Sequence, residues 1–210
     1  MIEYIVKYHN RVLNCFVTHI ELTVFSVVIA FCLASILALI AYHSKIVSYV
    51  IDGLLNAAYA IPTLAMFSLL IPLTGIGGVT AVITIVIFNQ FILVKSILSA
   101  LGFVELSVLE SAKAMGMSRL QVFLKVQLPL ATPLVLNGLK LSFTATISGA
   151  TLSAAIGAGG LGELIFEGMV IRRWTMVYWG VILSTLLAFT VNQIFQLLEN
   201  RSLAYTRGER

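Results

Sequence analysis

The sequence predicts an all-α integral membrane protein with about five transmembrane helices. Of its 210 residues, 60% are hydrophobic and only 10% are charged, whereas a soluble globular domain carries about 25% charged residues. The apolar residues also fall into runs of the length that a helix needs to cross a bilayer, about 20 residues. A transmembrane barrel would alternate apolar and polar residues in short strands instead. Composition and run length together exclude a soluble domain.

Five apolar runs account for the predicted helices. The first carries no formal charge, the third carries only Lys95, and the second and fourth carry one charge each, Asp52 and Lys140. The predicted spans are residues 22–42, 47–73, 79–101, 130–156 and 176–198. We assign them to one transmembrane domain, residues 20–200.

The two ends of the chain differ from the spans. Residues 1–19 mix apolar side chains with Glu3, Lys7 and Arg11, which predicts a short amphipathic lead-in, although a frayed terminus has the same composition. The run that follows is too long for the core of a cleavable signal peptide. Residues 201–210 are predicted to form a cytoplasmic tail.

The lysines and arginines set the predicted orientation. With five spans the termini lie on opposite sides, and a cytoplasmic C-terminus places more cations inside than outside, as the positive-inside rule expects. The inner cations are then Lys45, Lys113, Arg119, Lys125, Arg201, Arg207 and Arg210, and the outer ones are Lys7, Arg11, Arg172 and Arg173. The N-terminus is therefore predicted outside and the loop 102–129 in the cytoplasm.

This inner loop is the most polar part of the chain between the spans. Ser107 is predicted to cap a first helix, with Glu110 completing a capping box, and Gly116 then permits a turn that a residue with a Cβ would resist. Ser118 is predicted to cap a second short helix, and Pro129 to begin the next span. Small residues leave one face of the first helix nearly flat: Ser111, Ala112 and Ala114. Such a helix-turn-helix suits either a docking element or a structural linker.

The spacing of the loop resembles the signature of ABC importer permeases. That signature is Glu-Ala-Ala, three residues, Gly, nine residues, an aliphatic residue, one residue and Leu-Pro. The matching positions are Glu110, Ala112, Gly116, Val126, Leu128 and Pro129, and Ser111 replaces the usual Ala. The resemblance implies a type I ABC importer permease fold with coupling helices between spans 3 and 4. It implies ATPase-coupling roles for Glu110, Ser111, Ala112, Gly116, Met117, Leu128 and Pro129.

The same resemblance implies the partners. A dimer of cytoplasmic ABC ATPases would bind the loop and hold the ATP and Mg, while this chain would bind no cofactor and perform no chemistry. An extracytoplasmic substrate-binding protein would deliver the substrate, and a second permease, identical or homologous, would complete the pathway. The implied location is the bacterial cytoplasmic membrane.

Three further stretches are similar to permeases that import osmoprotectants such as glycine betaine, carnitine and choline. They are residues 60–78, 137–142 and 154–168. Lys95 and Lys140 stand where many relatives carry Arg, which removes a bidentate donor at each position. The glycine-rich stretch after residue 156 also occurs in methionine-type permeases, so an amino-acid importer stays open as an alternative.

Several residues within the spans are candidates for the translocation pathway. Pro62 frees backbone groups inside an apolar run, which is tolerated where the backbone lines a cavity, although a simple kink would also explain it. Lys140 is predicted to snorkel to the interface, to play an interior structural or gating role, or to contact substrate. Aromatic residues in the spans either stack on a methylated ammonium or pack between helices: Tyr59, Phe67, Phe88 and Phe143. The pathway candidates are Tyr59, Pro62, Thr63, Phe67, Lys140 and Thr144.

Small residues in the fourth span predict close helix packing, which we assign to the contact between two permeases. They are Gly149, Ser153 and Gly157. Two other classes of membrane protein fit less well. A secondary transporter would need clustered intramembrane carboxylates or an inverted repeat, and an intramembrane enzyme would need a catalytic constellation. The sequence offers no catalytic set and no cysteine or histidine cluster with metal-ligand spacing.

Overall fold

A computed structural model describes the backbone of residues 2–206 and the side chains of residues 3–204. Its described part consists of nine α-helices, with a π-helical turn at Phe123–Gln127 and a 3₁₀ turn at Ala154–Ile156. The helices are α1 (Ile2–Tyr42), α2 (Lys45–Tyr59), α3 (Thr63–Thr74), α4 (Gly78–Phe103), α5 (Leu106–Ala114), α6 (Arg119–Val122), α7 (Leu128–Ser153), α8 (Leu161–Val170) and α9 (Trp174–Thr206). This all-helical architecture is the predicted fold class.

The number of membrane-crossing helices agrees with the prediction, but the second span is broken. Four stretches within residues 2–206 are long and apolar enough to cross a membrane: Glu3–Tyr42, Gly78–Phe103, Arg119–Ile156 and Trp174–Ala204. A fifth arises only if α2 and α3 count together, and these two helices meet at an angle of 97°. The bend falls at Pro62, which caps α3 with φ −57° and ψ 137° and has no N–H to continue α2. The predicted span 47–73 thus consists of two helices that meet at Pro62, the proline that the sequence marks as freeing backbone groups in this run.

The predicted lead-in, residues 1–19, is helical from Ile2 and runs into the first span as part of α1. A kink at Tyr8, with φ −119° and ψ 25°, separates its first residues from the long helix that follows. Tyr4, Val12 and Cys15 are buried against residues of α8 and α9, among them Leu164 and Met176. This burial extends the first helix well before residue 22.

The centre of the bundle is α4, which packs between α1 and α7. One face of α1 presents Ala30, Ala34 and Ala38, all fully buried, toward the side chains of α4. Small residues at this four-residue spacing let two backbones approach closely, as is common between membrane helices. The resulting core fixes where the flanking helices can lie.

The two ends of the bundle carry different short elements. We call the end with residues 104–127 the loop end and the end with residues 157–173 the α8 end. The described chain begins in α1 at the α8 end and finishes in α9 at the loop end. The predicted tail is helical as far as Thr206, and residues 207–210 lie outside the described part of the chain.

Helix α8 is fastened to its surroundings by close packing and by charge. A Cβ on Gly162 would collide with the carbonyl oxygen of Thr151 and would lie 2.8 Å from Cβ of Ala154. Arg11 of α1 donates to Glu163 at 3.0 Å and to Glu167 at 3.1 Å. The α8 end is therefore a tightly packed cap on the bundle.

Candidate functional site

The first helix of the loop begins earlier than its sequence predicts. Glu105, not Ser107, occupies the N-cap of α5, and it makes no side-chain capping bond. The Ser107 hydroxyl instead donates to Glu105 Oε2 at 3.2 Å. The predicted capping box of Ser107 and Glu110 is therefore wrong, because α5 has already started when the chain reaches Ser107.

The turn after α5 depends on Gly116. Its φ is +85°, in the left-handed region, where a residue with a Cβ is disfavoured by about 1–2 kcal/mol. Its N–H donates to the Lys113 carbonyl at 2.9 Å, and the Met117 N–H donates to the Ala112 carbonyl at 3.3 Å. This pair of bonds is the Schellman arrangement that ends many helices, and it confirms the predicted glycine turn.

The second part of the loop is capped as predicted, but it is not a separate short helix. The Gln121 N–H donates to the Ser118 hydroxyl at 3.3 Å, and the Ser118 N–H donates to the Gln121 side chain at 2.8 Å. This reciprocal pair is a capping box. From Arg119 the chain stays helical through the π turn into α7 as far as Ile156. A movement of the loop can therefore be passed directly to the fourth span.

The π turn is anchored to the bundle by one buried amide. Gln127 donates to the Tyr42 hydroxyl at 2.7 Å and to the Leu101 carbonyl at 3.1 Å. Pro129 is the second residue after the π turn and supplies no N–H to the helix that continues through it. The predicted start of this span near residue 130 thus lies within a longer helix.

The outer surface of the loop differs in one residue from the expected flat face. Glu110, Ser111 and Gly116 are exposed, and Met115 has 77% of its surface exposed. Ala112, however, is only 2% exposed, so its methyl group packs inside the chain and is not available to a partner. Met117 is half-buried and Leu128 is exposed. The coupling roles of these residues stay predictions.

The bend between α2 and α3 opens a cleft of about 420 Å³, which we call the bend cleft. Its walls come from the bend, from α4 and from α7: Tyr59, Ala60, Ile61, Pro62, Thr63, Ile85, Phe88, Asn89, Ile92, Ala145, Ser148, Gly149 and Leu152. Three of the pathway candidates, Tyr59, Pro62 and Thr63, thus lie together in one cavity.

The other three pathway candidates lie outside the bend cleft. Phe67 is fully buried and is not among the residues that line the cleft. Thr144 is exposed and donates to the Lys140 carbonyl of its own helix at 2.9 Å. Lys140 itself pairs with Glu199 of α9 at 3.0 Å, with both side chains half-buried, and its three possible roles stay predictions.

A second lysine is also paired. Lys95 contacts Asp52 at 3.0 Å and donates to the Asn56 side chain at 3.3 Å. Its ammonium also lies 4.3 Å from the centre of the Phe91 ring. Lys95 and Asp52 are single charges in two different apolar runs, 43 positions apart along the chain (95 − 52), so the pair is visible only in the folded chain.

The sequence analysis missed a buried polar network beside the cleft. Asn89 accepts from the Ser142 hydroxyl at 2.6 Å and donates to Thr146 at 2.8 Å and to the Ile85 carbonyl at 3.0 Å. Polar residues inside membrane spans are rare and mark functional or structural contacts. Asn89 and Gln90, adjacent within an otherwise apolar run, were the available signal.

The three dimer-packing candidates contact their own chain. Gly149 lies against Ile85, since a Cβ there would be 3.4 Å from its Cγ1. Ser153 is fully buried, and Gly157 forms a left-handed turn with φ +75°. Contact with a second permease stays a prediction for these residues.

Known proteins resemble this chain in amino-acid sequence over most of its length. Residues 30–203 match the family model "Binding-protein-dependent transport system inner membrane component". The choline transport system permease protein OpuBB of Bacillus subtilis is 28% identical over 183 residues, which cover 87% of this chain and 84% of that protein. The carnitine transport permease protein OpuCB of Listeria monocytogenes is 28% identical over 193 residues, or 92% and 88% of the two chains.

Solved structures share the fold. A chain of the MetNI methionine ABC transporter in an inward-facing conformation superposes with a TM-score of 0.84 at 19% identity, covering 93% of this chain and 98% of that one. A chain of an amino acid ABC transporter gives a TM-score of 0.79 at 19% identity, covering 94% and 97%. At this identity the likeness establishes the fold alone.

Proposed function

Because the chain belongs to the family of inner membrane components of binding-protein-dependent transport systems, we propose that it forms half of a translocation pathway and couples it to an ATPase through Glu110–Pro129. As the permease subunit of an ABC importer it is a transporter component rather than an enzyme. A cytoplasmic ABC ATPase dimer would bind the loop and hold ATP and Mg. A second permease, identical or homologous, and an extracytoplasmic substrate-binding protein would complete the importer.

The exposed surface of α5 and the Gly116 turn carries the coupling proposal. Glu110, Ser111 and Gly116 present an acidic and small-residue surface at the loop end. The capped helix that follows is continuous with the fourth span. A partner that moves this surface would therefore move α7, one wall of the bend cleft.

The proposed orientation places the loop end in the cytoplasm, with the N-terminus outside. The exposed side chains of Lys45, Lys113, Arg119 and Lys125 gather toward the loop end, which supports this orientation through the positive-inside rule. The resulting location is the bacterial cytoplasmic membrane.

The proposed substrate is a quaternary ammonium osmoprotectant such as glycine betaine, carnitine or choline. Support comes from the names of relatives, which include choline, carnitine and glycine betaine/carnitine/choline permeases. The alternative is an amino acid, because the shared fold also occurs in a methionine transporter. Uptake assays with the cognate binding protein and radiolabelled choline, glycine betaine or methionine separate these classes.

The coupling proposal is tested by reversing one charge on α5. We expect Glu110→Lys to weaken association with the ATPase at least tenfold by pull-down from membranes, since charged contacts at interfaces contribute about 2 kcal/mol or more when buried. Glu21→Lys makes the same charge change on an exposed residue of α1 far from the loop and serves as the control. Unchanged ATPase association of Glu110→Lys, with normal insertion, would contradict the proposal.

A further inference from the structure

We propose that the bend cleft binds a quaternary ammonium group on the rings of Tyr59 and Phe88 and discriminates against primary ammonium groups. The inference rests on the proposed role of the cleft in translocation. It goes further by naming the residues that contact the ligand and the chemical feature that they select.

The bend cleft has the size and the electrostatic character to hold a small, weakly hydrated cation. Its volume of about 420 Å³ falls in the range of ligand pockets, about 300–1,000 Å³. None of the described residues that line it carries a formal charge. Helix α2 ends at Tyr59, so the negative end of its dipole lies at the cleft and favours a positive ligand.

Two aromatic rings form adjoining walls of the cleft. The ring centres of Tyr59 and Phe88 are 6.0 Å apart, and the ring planes cross at 82°. Tyr59 has 46% of its surface exposed, so its ring is accessible from the cavity. Ring faces attract a cation through their quadrupole within about 6 Å of the centroid. Phe91 covers one face of Tyr59, and a methylated ammonium in the corner formed by Tyr59 and Phe88 can contact both rings.

The aromatic residues beside the cleft already contact one cation, the primary ammonium of Lys95. Phe91 stacks on Tyr59, with ring centres 4.3 Å apart and planes at 16°, and the Lys95 ammonium lies 4.3 Å from the centre of Phe91. Lys95 is a primary ammonium with three donors. Oxygens of Asp52 and Asn56 accept from it at 3.0 Å and 3.3 Å. A primary ammonium is therefore bound here by a ring together with oxygen acceptors.

The bend cleft offers rings, but no carboxylate lines it; its side-chain acceptors are the hydroxyl oxygens of Tyr59, Thr63 and Ser148 and the amide oxygen of Asn89. That amide oxygen already accepts from Ser142, and the amide nitrogen of Asn89 donates to Thr146 and Ile85. A primary ammonium that left water for this cleft would find neutral oxygens in place of the carboxylate that binds Lys95, and any N–H left without an acceptor would be costly. A trimethylammonium has no N–H and spreads its charge over its methyl groups. The ring walls therefore favour the quaternary group.

The test compares choline with ethanolamine, which differ only in the three methyl groups on nitrogen. Binding to the full-length chain in lipid nanodiscs is measured by saturation-transfer NMR. We expect choline to bind at least about tenfold more tightly than ethanolamine, and Tyr59→Leu to weaken choline binding about tenfold while Tyr59→Phe, which keeps the ring, stays within about twofold. Tyr49→Leu is the control, because Tyr49 is an exposed tyrosine of the same helix outside the cleft lining.

Three results would overturn the proposal: equal binding of choline and ethanolamine, unchanged choline binding in Tyr59→Leu, or an equal loss in Tyr59→Phe. Phe88→Leu repeats the test on the other wall should Tyr59→Leu not fold, and undiminished choline binding in that variant would also overturn the proposal. The assay contains no ATPase, so it is independent of the Glu110→Lys experiment. If the chain binds choline selectively and Glu110→Lys still associates normally with the ATPase, the coupling proposal is contradicted. The proposed site in the cleft is then still supported.

Discussion

The loop end and the α8 end use the same backbone turn in opposite surroundings. At Gly116 and at Gly157 the chain ends a helix with a glycine in the left-handed region, at φ +85° and +75°. Around Gly157 the bonds run from its own N–H to Ala154 at 3.0 Å and from the Ala158 N–H to Ser153 at 3.2 Å. The pattern is the same Schellman arrangement that closes α5.

The short helices beside these turns differ in what covers them. In α8, Leu161, Gly162, Leu164 and Gly168 are buried, whereas in α5 the only buried residue within the described chain is Ala112. Helix α8 thus completes the packing of one end of the bundle, while α5 leaves most of its surface open at the other. In both places the glycine turn sets only the direction of the chain. The neighbouring helices decide whether the short helix is part of the core or stays exposed to a partner.

The largest expected effect is at Gly162. We expect Gly162→Ala to lower the free energy of unfolding by about 3 kcal/mol, because the new methyl would collide with the Thr151 carbonyl and crowd Ala154 in a packed region. Denaturant titration of the purified chain in detergent measures the loss. Gly102→Ala is the control, since a Cβ at that helical glycine meets nothing within 4 Å. Equal stability of the two variants would show that α8 is not tightly packed.

A smaller loss of stability is expected at the exposed turn around Gly116. Gly116→Ala places a Cβ where nothing lies within 4 Å, so its cost comes only from the positive φ, about 1 kcal/mol. The chain should therefore fold and insert normally, and the same denaturant titration should show a loss well below that of Gly162→Ala. A loss as large as that of Gly162→Ala would mean that the two turns do not differ in packing.

The smallest effect concerns the ion pairs that fasten α8. The Arg11 guanidinium lowers the pKa of Glu167 through their hydrogen bond. Because the folded pKa lies below the unfolded one, the pair stabilises the fold at neutral pH, and this contribution is lost as the pH falls below the usual glutamate value of about 4.3.

We therefore expect Glu167→Gln to lower stability at pH 7 by at most about 1 kcal/mol, and the difference from the wild type to shrink as the pH is lowered to 3. Thermal unfolding at the two pH values measures the difference. Glu110→Gln on the open helix α5 is the matched control and should change stability at neither pH. A penalty for Glu167→Gln that is undiminished at pH 3 would mean that the carboxylate charge is not what holds α8.

Local patterns predicted much of the loop and of the membrane spans. Residue chemistry identified the Gly116 turn and the Ser118 cap, because each depends on contacts within a few residues. It failed at Ser107, since Glu105 starts α5 two residues earlier. It also treated residues 1–19 as separate from the first span, because the burial of Tyr4 and Val12 depends on α8 and α9, which lie far along the chain.

The amino-acid sequence is enough to predict that the chain crosses a membrane as helices, that the loop 102–129 contains a helix-turn-helix, and which family signature that loop carries. Apolar run length and short-range backbone chemistry are sufficient for these conclusions. The folded chain was needed to see that the second span bends by 97° at Pro62 and that Tyr59, Phe88 and Asn89 meet in one cleft. It also paired Lys95 with Asp52 and Lys140 with Glu199. These contacts join residues on different helices, and their positions follow from how the helices pack.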